Sequence, residues 1–409
     1  MYKYLLLIIL SALSLNLLAQ TDSVHKANNF DPAKHAFIDS SGQRDIKDVF
    51  HRLFNKKKID ENEQAKKLNF SVVPSVGYSL STGFGANLNS NVEFYNGPNK
   101  GKTNVSVISA SGFIDTKNQR SLTSIANIWT ENNDYDLVVN FRWLKYPTNT
   151  FGFGSFTTPD KTDPIDFNYV KLYTTLSKRV IPNYYIGLGY NLDYHTNFVE
   201  QGNADGTVSD LTKYGKPYTT RSSGLNLNLL YDRRGNPVNP LSGGYANIIL
   251  RQNFRFLGSD ENWQSLIIDL RKYVPMSKHN NNVLAFWAYL WFTYDDKVPY
   301  LDLPSTGWDV NTTSGRGYVI GRFTGRDMLY AEAEYRFTLT KSGILGGVLF
   351  TNAQSFPEYP NGGFKKVIPA AGTGLRLKLN KHSNTNICVD YGVGIDGSRG
   401  FFVNLGEGF

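Results

Sequence analysis

The chain has 409 residues, with 43 Lys and Arg against 35 Asp and Glu for a formal charge of +8, and it carries 14% aromatics, 37 glycines and one cysteine. A lone cysteine, Cys388, excludes an internal disulfide and a thiolate metal cluster; no cofactor or metal is expected. The basic residues are spread rather than gathered on one face, which argues against a nucleic-acid partner. The length suits two or three ordinary domains or one large closed sheet.

Residues 1–20 place Lys3 before the apolar run Leu5 to Leu18, with Ala19-Gln20-Thr21 after it. That is the shape of a secretory signal peptide cut after Ala19 or Gln20; a single membrane anchor is the alternative. Residues 21–67 are polar and include Lys56-Lys57-Lys58, the composition of a solvated periplasmic tether. Within them Ile46, Val49, Phe50, Leu53 and Phe54 recur at helical spacing, so a short amphipathic helix is expected. It would dock on or plug the end of the following domain, or lie on a membrane surface.

From Asn69 the apolar period changes to two, and no later apolar run approaches the roughly 20 residues of a membrane helix. The pattern predicts an all-β domain over 68–409, a 16-stranded antiparallel transmembrane β-barrel. Strands are expected at 69–78, 82–94, 103–115, 118–131, 134–144, 168–178, 182–194, 222–234, 243–256, 264–274, 282–293, 327–338, 343–354, 368–379, 384–393 and 399–409. Connections alternate between tight turns such as Ile181-Pro182-Asn183 and long external loops at 145–167, 195–221 and 294–326. Leu225, Leu227, Leu229 and Tyr231 share one face against Asn226, Asn228 and Asp232. Leu329, Ala331, Ala333, Tyr335 and Phe337 likewise oppose Tyr330, Glu332, Glu334 and Arg336. A slip of one residue would place two carboxylates in hydrocarbon.

Three segments stand out. The turn Tyr231-Asp232-Arg233-Arg234-Gly235-Asn236-Pro237-Val238-Asn239-Pro240-Leu241-Ser242-Gly243 is rich in turn formers. The loop before strand 327–338 holds Gly315-Arg316-Gly317-Tyr318. Arginine between glycines, above a polar lumen, suits a guanidinium tucked inward onto Glu332 or Glu334; an exposed loop arginine fits the spacing equally well. Arg322, further along, is expected to matter less. The sequence closes on Phe401-Phe402-Val403-Asn404-Leu405-Gly406-Glu407-Gly408-Phe409, an alternating run ending on an aromatic. Such an edge is a liability in a soluble sheet and is removed when a barrel closes.

Other motifs are weak. Gly392-Val393-Gly394-Ile395-Asp396-Gly397 satisfies G-x-G-x-x-G, but no helix is expected after it, so a strand running into a turn explains it. Of six histidines only His195, at a strand rim, merits attention as a base; solvation at the rim is the simpler reading.

Together these segments resemble the barrel of the BamA/TamA superfamily, the surface-antigen-type outer-membrane insertases and two-partner secretion transporters. Asp232, Arg234, Asn236, Pro240 and Gly243 match its D-x-R-x-N…P-x-x-G periplasmic hairpin. Arg316-Gly317-Tyr318 is similar to its R-G-[FY] loop motif, and Glu334-Tyr335-Arg336 to its E-[YL]-R strand. Phe401, Val403, Leu405, Gly406 and Phe409 are similar to its last strand, the signal read by the barrel-assembly machinery. The resemblance implies that Arg316 reaches acidic groups on the twelfth and thirteenth strands. Glu334 fits the first; Asn352 stands where the family has aspartate on the second, which leaves Glu332 or Asp390 as substitutes. The family usually carries periplasmic POTRA domains that receive clients, and 21–67 is too short to hold one.

The function implied is a non-enzymatic role in outer-membrane biogenesis in a Gram-negative bacterium: insertion or translocation of proteins or lipids. Its partners would be outer-membrane lipids, the barrel-assembly machinery, and a periplasmic partner or a second copy of the chain. In this reading the seam between the first and last strands is weakly paired and parts. The alternative is a passive channel with the long loops as a lid.

Overall fold

The computed structural model describes residues 43–46, 48 and 68–409, apart from 80–82, 98–102, 204, 216–217, 277–280, 310–311, 359–361 and 382–383. The expected signal peptide, and Val49, Phe50, Leu53 and Phe54 of the expected amphipathic helix, lie outside the described residues.

Seventeen strands follow in chain order. The first half holds β1 (Leu68–Ser79), β2 (Gly83–Phe94), β3 (Ser106–Asp115), β4 (Arg120–Trp129), β5 (Tyr135–Lys145), β6 (Thr148–Thr150), β7 (Asp163–Ile181) and β8 (Tyr184–Glu200). The second holds β9 (Thr220–Asp232), β10 (Gly243–Asn253), β11 (Trp263–Pro275), β12 (Val283–Thr293), β13 (Asp327–Thr338), β14 (Leu345–Ser355), β15 (Ile368–Asn380), β16 (Thr385–Gly394) and β17 (Arg399–Leu405). Each pairs antiparallel with the next, except that β5 pairs directly with β7. The three-residue β6 hydrogen-bonds only to the start of β7. The wall therefore has sixteen strands, and β6 is an appendage above it. Thr385 of β16 donates to Glu93 of β2 at 3.5 Å, a contact between inward side chains one strand in from each end of the sheet.

The period of two decides which side meets lipid. On β9, Leu225, Leu227 and Leu229 are 50, 38 and 41% exposed, while Asn226 and Asn228 are 3 and 6% exposed. On β13 the inward set is Tyr330, Glu332, Glu334 and Arg336, all buried. Outward leucines meet hydrocarbon, and inward polar groups find partners in the lumen.

Most strand ends shift by a few residues from expectation, and three departures are larger in consequence. β7 and β8 reach 19 and 17 residues, shortening both adjoining loops. The added end of β8 carries Asn197 and Glu200, and that of β7 Asp163 and Asp166, so the ladder continues after its apolar sequence signal has faded. A short helix α1 (Asp210–Tyr214), capped by Ser209 accepting from the Thr212 N–H at 2.9 Å, sits in the expected long external loop 195–221. The last strand stops at Leu405 because Gly406, at φ +90°, turns the chain off the wall.

Leu227→Arg is expected to lower stability by about 2–4 kcal/mol if that position lies near the bilayer midplane, whereas Asn228→Arg on the lumenal face is expected to cost less. Urea unfolding in lipid vesicles, followed by heat-modifiable gel mobility, measures the difference.

Candidate functional site

The loop between β12 and β13 does not stand out from the barrel but folds into it. Arg316, at its tip, is 1% exposed. Its guanidinium donates to Glu332 and Glu334 of β13 and to Asp390 of β16, and stacks over the Phe350 ring of β14 at 4.0 Å. The two glutamates follow from sequence: they are two residues apart on a strand, so both face inward. Asp390 comes from fifty-odd residues further on. Asn352 does not meet the guanidinium; its amide donates to the Arg316 carbonyl at 2.9 Å. The missing aspartate on β14 is thus replaced by Asp390 on β16, two strands away. The carboxylates are themselves held. Arg336 donates to Glu334 at 2.6 Å, and Arg376 to Asp390. Arg336 and Arg376 also meet Glu407, at 3.8 and 2.8 Å, so three arginines face four carboxylates and each buried charge is matched through shared contacts.

Close backbone approach brings the tip to the wall. Gly317 sits at φ +109°, and a Cβ there would be 2.8 Å from the Ala370 Cβ. A Cβ on Gly392 would be 2.7 Å from the Gly317 nitrogen, and one on Gly394 2.4 Å from the Tyr318 ring. The apparent dinucleotide motif is therefore a socket for the loop tip. Tyr318 donates to the Pro369 carbonyl and accepts from the Ile395 N–H at 2.9 Å, and Ser398 donates to the Gly317 carbonyl at 2.8 Å.

The base of the same loop is held on the opposite wall. Asp302 accepts from the Ser222 hydroxyl at 2.5 Å and lies 3.7 Å from His195. Beside it, Asp193 pairs with Arg251 at 2.6 Å and accepts from Tyr169 and Tyr173. His195 is 2% exposed and stacks on Tyr169 at 4.3 Å, so it belongs to the lumen rather than to a solvated rim. Ser222 directs its hydroxyl to Asp302, not to the imidazole, which is not the order of a nucleophile activated by a base. Arg322 is also buried, donating to Thr157 at 2.9 and 2.8 Å and stacking on Phe323 at 4.2 Å. It is a second buried anchor, but its hydrogen bonds go to a neutral residue and its nearest carboxylate, Asp396, lies 3.9 Å away.

The hairpin and the end of the sequence close the turn side. Asp232 takes Arg234 in a two-pronged contact at 2.9 and 2.6 Å, and Arg234 stacks on Tyr245 at 4.1 Å. Asn236 accepts from the N–H groups of Val238 and Asn239, Pro240 is buried, and Gly243 adopts φ +100°, where a Cβ would lie 2.2 Å from the Arg233 oxygen. Phe401 and Val403 point outward, 62 and 53% exposed, and Leu405 is half-buried. Beyond Gly406 the chain enters the lumen. Phe409 packs on Trp287 with ring centres 5.2 Å apart, Thr313 of the loop donates to the Gly408 oxygen at 2.7 Å, and Glu407 accepts from Arg376 at 2.8 Å. The expectation that residues 406–409 continue the lipid-facing strand is corrected by this turn. The sequence reading missed Asp193 and Arg251; their place on the inward parity of β8 and β10 was the signal that could have found them.

Fold and site together define a membrane-spanning β-barrel with an external loop anchored inside its lumen by buried arginine. The chain belongs to the Omp85 superfamily, whose domain matches residues 106–409. It is similar in fold to the crystal structure of BamA from Haemophilus ducreyi lacking POTRA domains 1–3, at 19% identity and TM-score 0.52, over 81% of this chain and 69% of that one. It is also similar to CdiB from Acinetobacter baumannii (15% identity, TM-score 0.52, 84% of this chain and 60% of that one). CdiB from Escherichia coli aligns at 11% identity and TM-score 0.54, over 82% of this chain and 61% of that one. The chain thus spans about three fifths of the length of the CdiB structures. No curated protein matches it.

Arg316→Ala is expected to cost about 3–5 kcal/mol, since it leaves three buried carboxylates short of a cation. Arg326→Ala removes only a partly exposed pair with Asp296 and should cost about 0–1 kcal/mol. Equal shifts in the temperature of heat modification would refute the difference. Burial first, and the charge of Asp193 second, push the Asp302 carboxyl from 3.8 up to about 8, against Arg251 and Lys171. The docked loop then keeps a proton that the released loop gives up near the ordinary carboxylate range. Docking is expected to weaken as pH rises from about 4 to 8 and to level off above that. Protease sensitivity of the 294–326 loop should increase over this window, and Asp302→Asn should flatten the response.

Proposed function

We propose that this barrel works in outer-membrane biogenesis in a Gram-negative bacterium, promoting insertion or translocation of proteins or lipids without chemistry of its own. The observation that carries the reading is the filled lumen. The loop occupies it from one end through Arg316, while the 233–242 hairpin and residues 407–409 occupy it from the other. A path along the axis is obstructed at both ends, so the wall is the place left for traffic. The edge strand β17 is the shortest wall strand, at seven residues, and it ends where Gly406 turns inward. A short edge strand contributes few ladder bonds, and a parting seam would thin the adjoining bilayer. Superfamily membership supports this role, with outer-membrane lipids, the barrel-assembly machinery during the chain's own folding, and a periplasmic partner or second copy as its contacts.

Depletion of the protein, followed by a census of outer-membrane proteins and lipids, tests the proposal. A broad fall in other barrels, or altered lipid asymmetry, is expected; an unchanged envelope would sink it. Planar-bilayer conductance provides the opposing test: rare flickering is expected, and a steady large pore would instead favour a passive channel with a loop lid.

A further inference from the structure

Two cations face each other on the outside of the wall. Arg120, the first residue of β4, lies directly opposite Lys145, the last of β5. Arg142 and Leu144 of β5 are buried in the lumen, 4 and 6% exposed, so Trp143 and Lys145 point outward. One outward step below the cations, Leu122 pairs with Trp143, and these are 50 and 41% exposed. Both cations stand at the end of the barrel that carries the 294–326 loop, where Gln119 donates to the Pro147 carbonyl at 2.7 Å. Indole rings favour the membrane–water interface. A position two residues beyond Trp143 is roughly 7 Å further along the strand, at headgroup level.

Nothing in the protein offsets this pair. Like charges directly opposite on a sheet repel, yet neither side chain has a hydrogen bond or ion pair among the described residues. The outward row continues to Ile114 on one side and Asn168 on the other, which brings no carboxylate. Asp166, two residues further along β7, makes no ion pair with either cation.

Below the cations the outer surface is hollowed. Gly112 of β3 sits between Leu88 of β2 and Leu122 of β4, and a Cβ there would meet nothing within 4 Å. The next outward residue toward the bilayer middle is Ala110, flanked by Ser90 and Ser124. Ser90 turns its hydroxyl back onto the Ala110 carbonyl at 3.2 Å, which masks its polarity. Small residues thus form a shallow channel under two unmatched cations. Channel and cations together have the length and polarity of one amphiphile.

We infer that this face seats a phosphate-bearing lipid of the leaflet next to the external loops. Its phosphate lies between Arg120 and Lys145, and one acyl chain runs along Gly112 and Ala110. The guanidinium fork takes two phosphate oxygens and the ammonium another, which turns a repulsive pair into a shared contact. The inference rests on the outer-membrane placement of the barrel, and not on insertion or translocation.

The test is quenching of Trp143, beside the seat, in the full chain folded into phosphatidylcholine vesicles. The probes are phosphatidic acid and phosphatidylcholine carrying the same brominated acyl chain, and Trp143→Phe isolates the emission of this residue. At equal mole fraction the acidic lipid is expected to quench Trp143 more than the neutral one. Arg120→Gln and Lys145→Gln should each lower that preference about fivefold, and Gly112→Leu, which fills the channel without changing charge, should lower it too. Heat-modifiable gel mobility confirms that each variant is folded. Equal quenching by the two lipids overturns the inference, as does an unaltered preference in a folded Arg120→Gln, Lys145→Gln double variant or in folded Gly112→Leu. Quenching by the neutral lipid reports separately that this face meets the bilayer. Its absence would overturn the membrane reading and the lipid seat together.

Discussion

A guanidinium sealed among three carboxylates is the constraint on which the rest of this barrel depends. Removing one arginine and its acids from water costs several kcal/mol per ion unless each charge is matched and hydrogen-bonded. Arg316 alone cannot neutralise Glu332, Glu334 and Asp390; Arg336 and Arg376 share the task while also holding Glu407. The cluster joins the loop to β13, β15 and β16, so loop position and wall shape are set by one electrostatic unit. Such a unit stabilises one geometry more than it stabilises the fold at large, since a displaced loop would leave unpaired charge in the lumen.

Glycine makes the electrostatics reachable. The guanidinium meets its acids only because the backbone at Gly317 can lie against β15 and β16, where Gly392 and Gly394 present no side chain. Tyr318 and Ser398 then fix the approach with hydrogen bonds to main-chain groups. Steric room and charge pairing therefore act in series: the first admits the loop tip, the second holds it.

The other end of the lumen is closed by different means. The 233–242 hairpin is stiffened by the Asp232–Arg234 contact and by Asn236 folding back on its own turn, and Asn239 donates to the Asn384 carbonyl across the opening at 3.3 Å. Residues 407–409 insert between hairpin and loop, Phe409 contributing an aromatic stack and Glu407 a charge. The end of the sequence touches the loop at Thr313 and the hairpin at Val238, so its release loosens the packing of both.

The alternation of residues fixed the sixteen-strand wall and the facing of β9 and β13, because the side-chain period of a strand is two and lipid tolerates no charge on the outward face. The Gly315–Tyr318 motif, with Glu332 and Glu334 at inward parity, was also legible, since these residues lie within one loop and the strand that follows it. Tertiary structure alone decided that Asp390 replaces the acid missing at Asn352, that Arg322 and His195 are buried, and that Gly406 carries Phe409 off the wall. These depend on which strands face each other across the lumen, a distance that no local pattern encodes. Strand ends were misplaced at β7 and β8 for a related reason: the ladder persists there by hydrogen bonding alone, after the apolar signal that marks a strand in the sequence has faded.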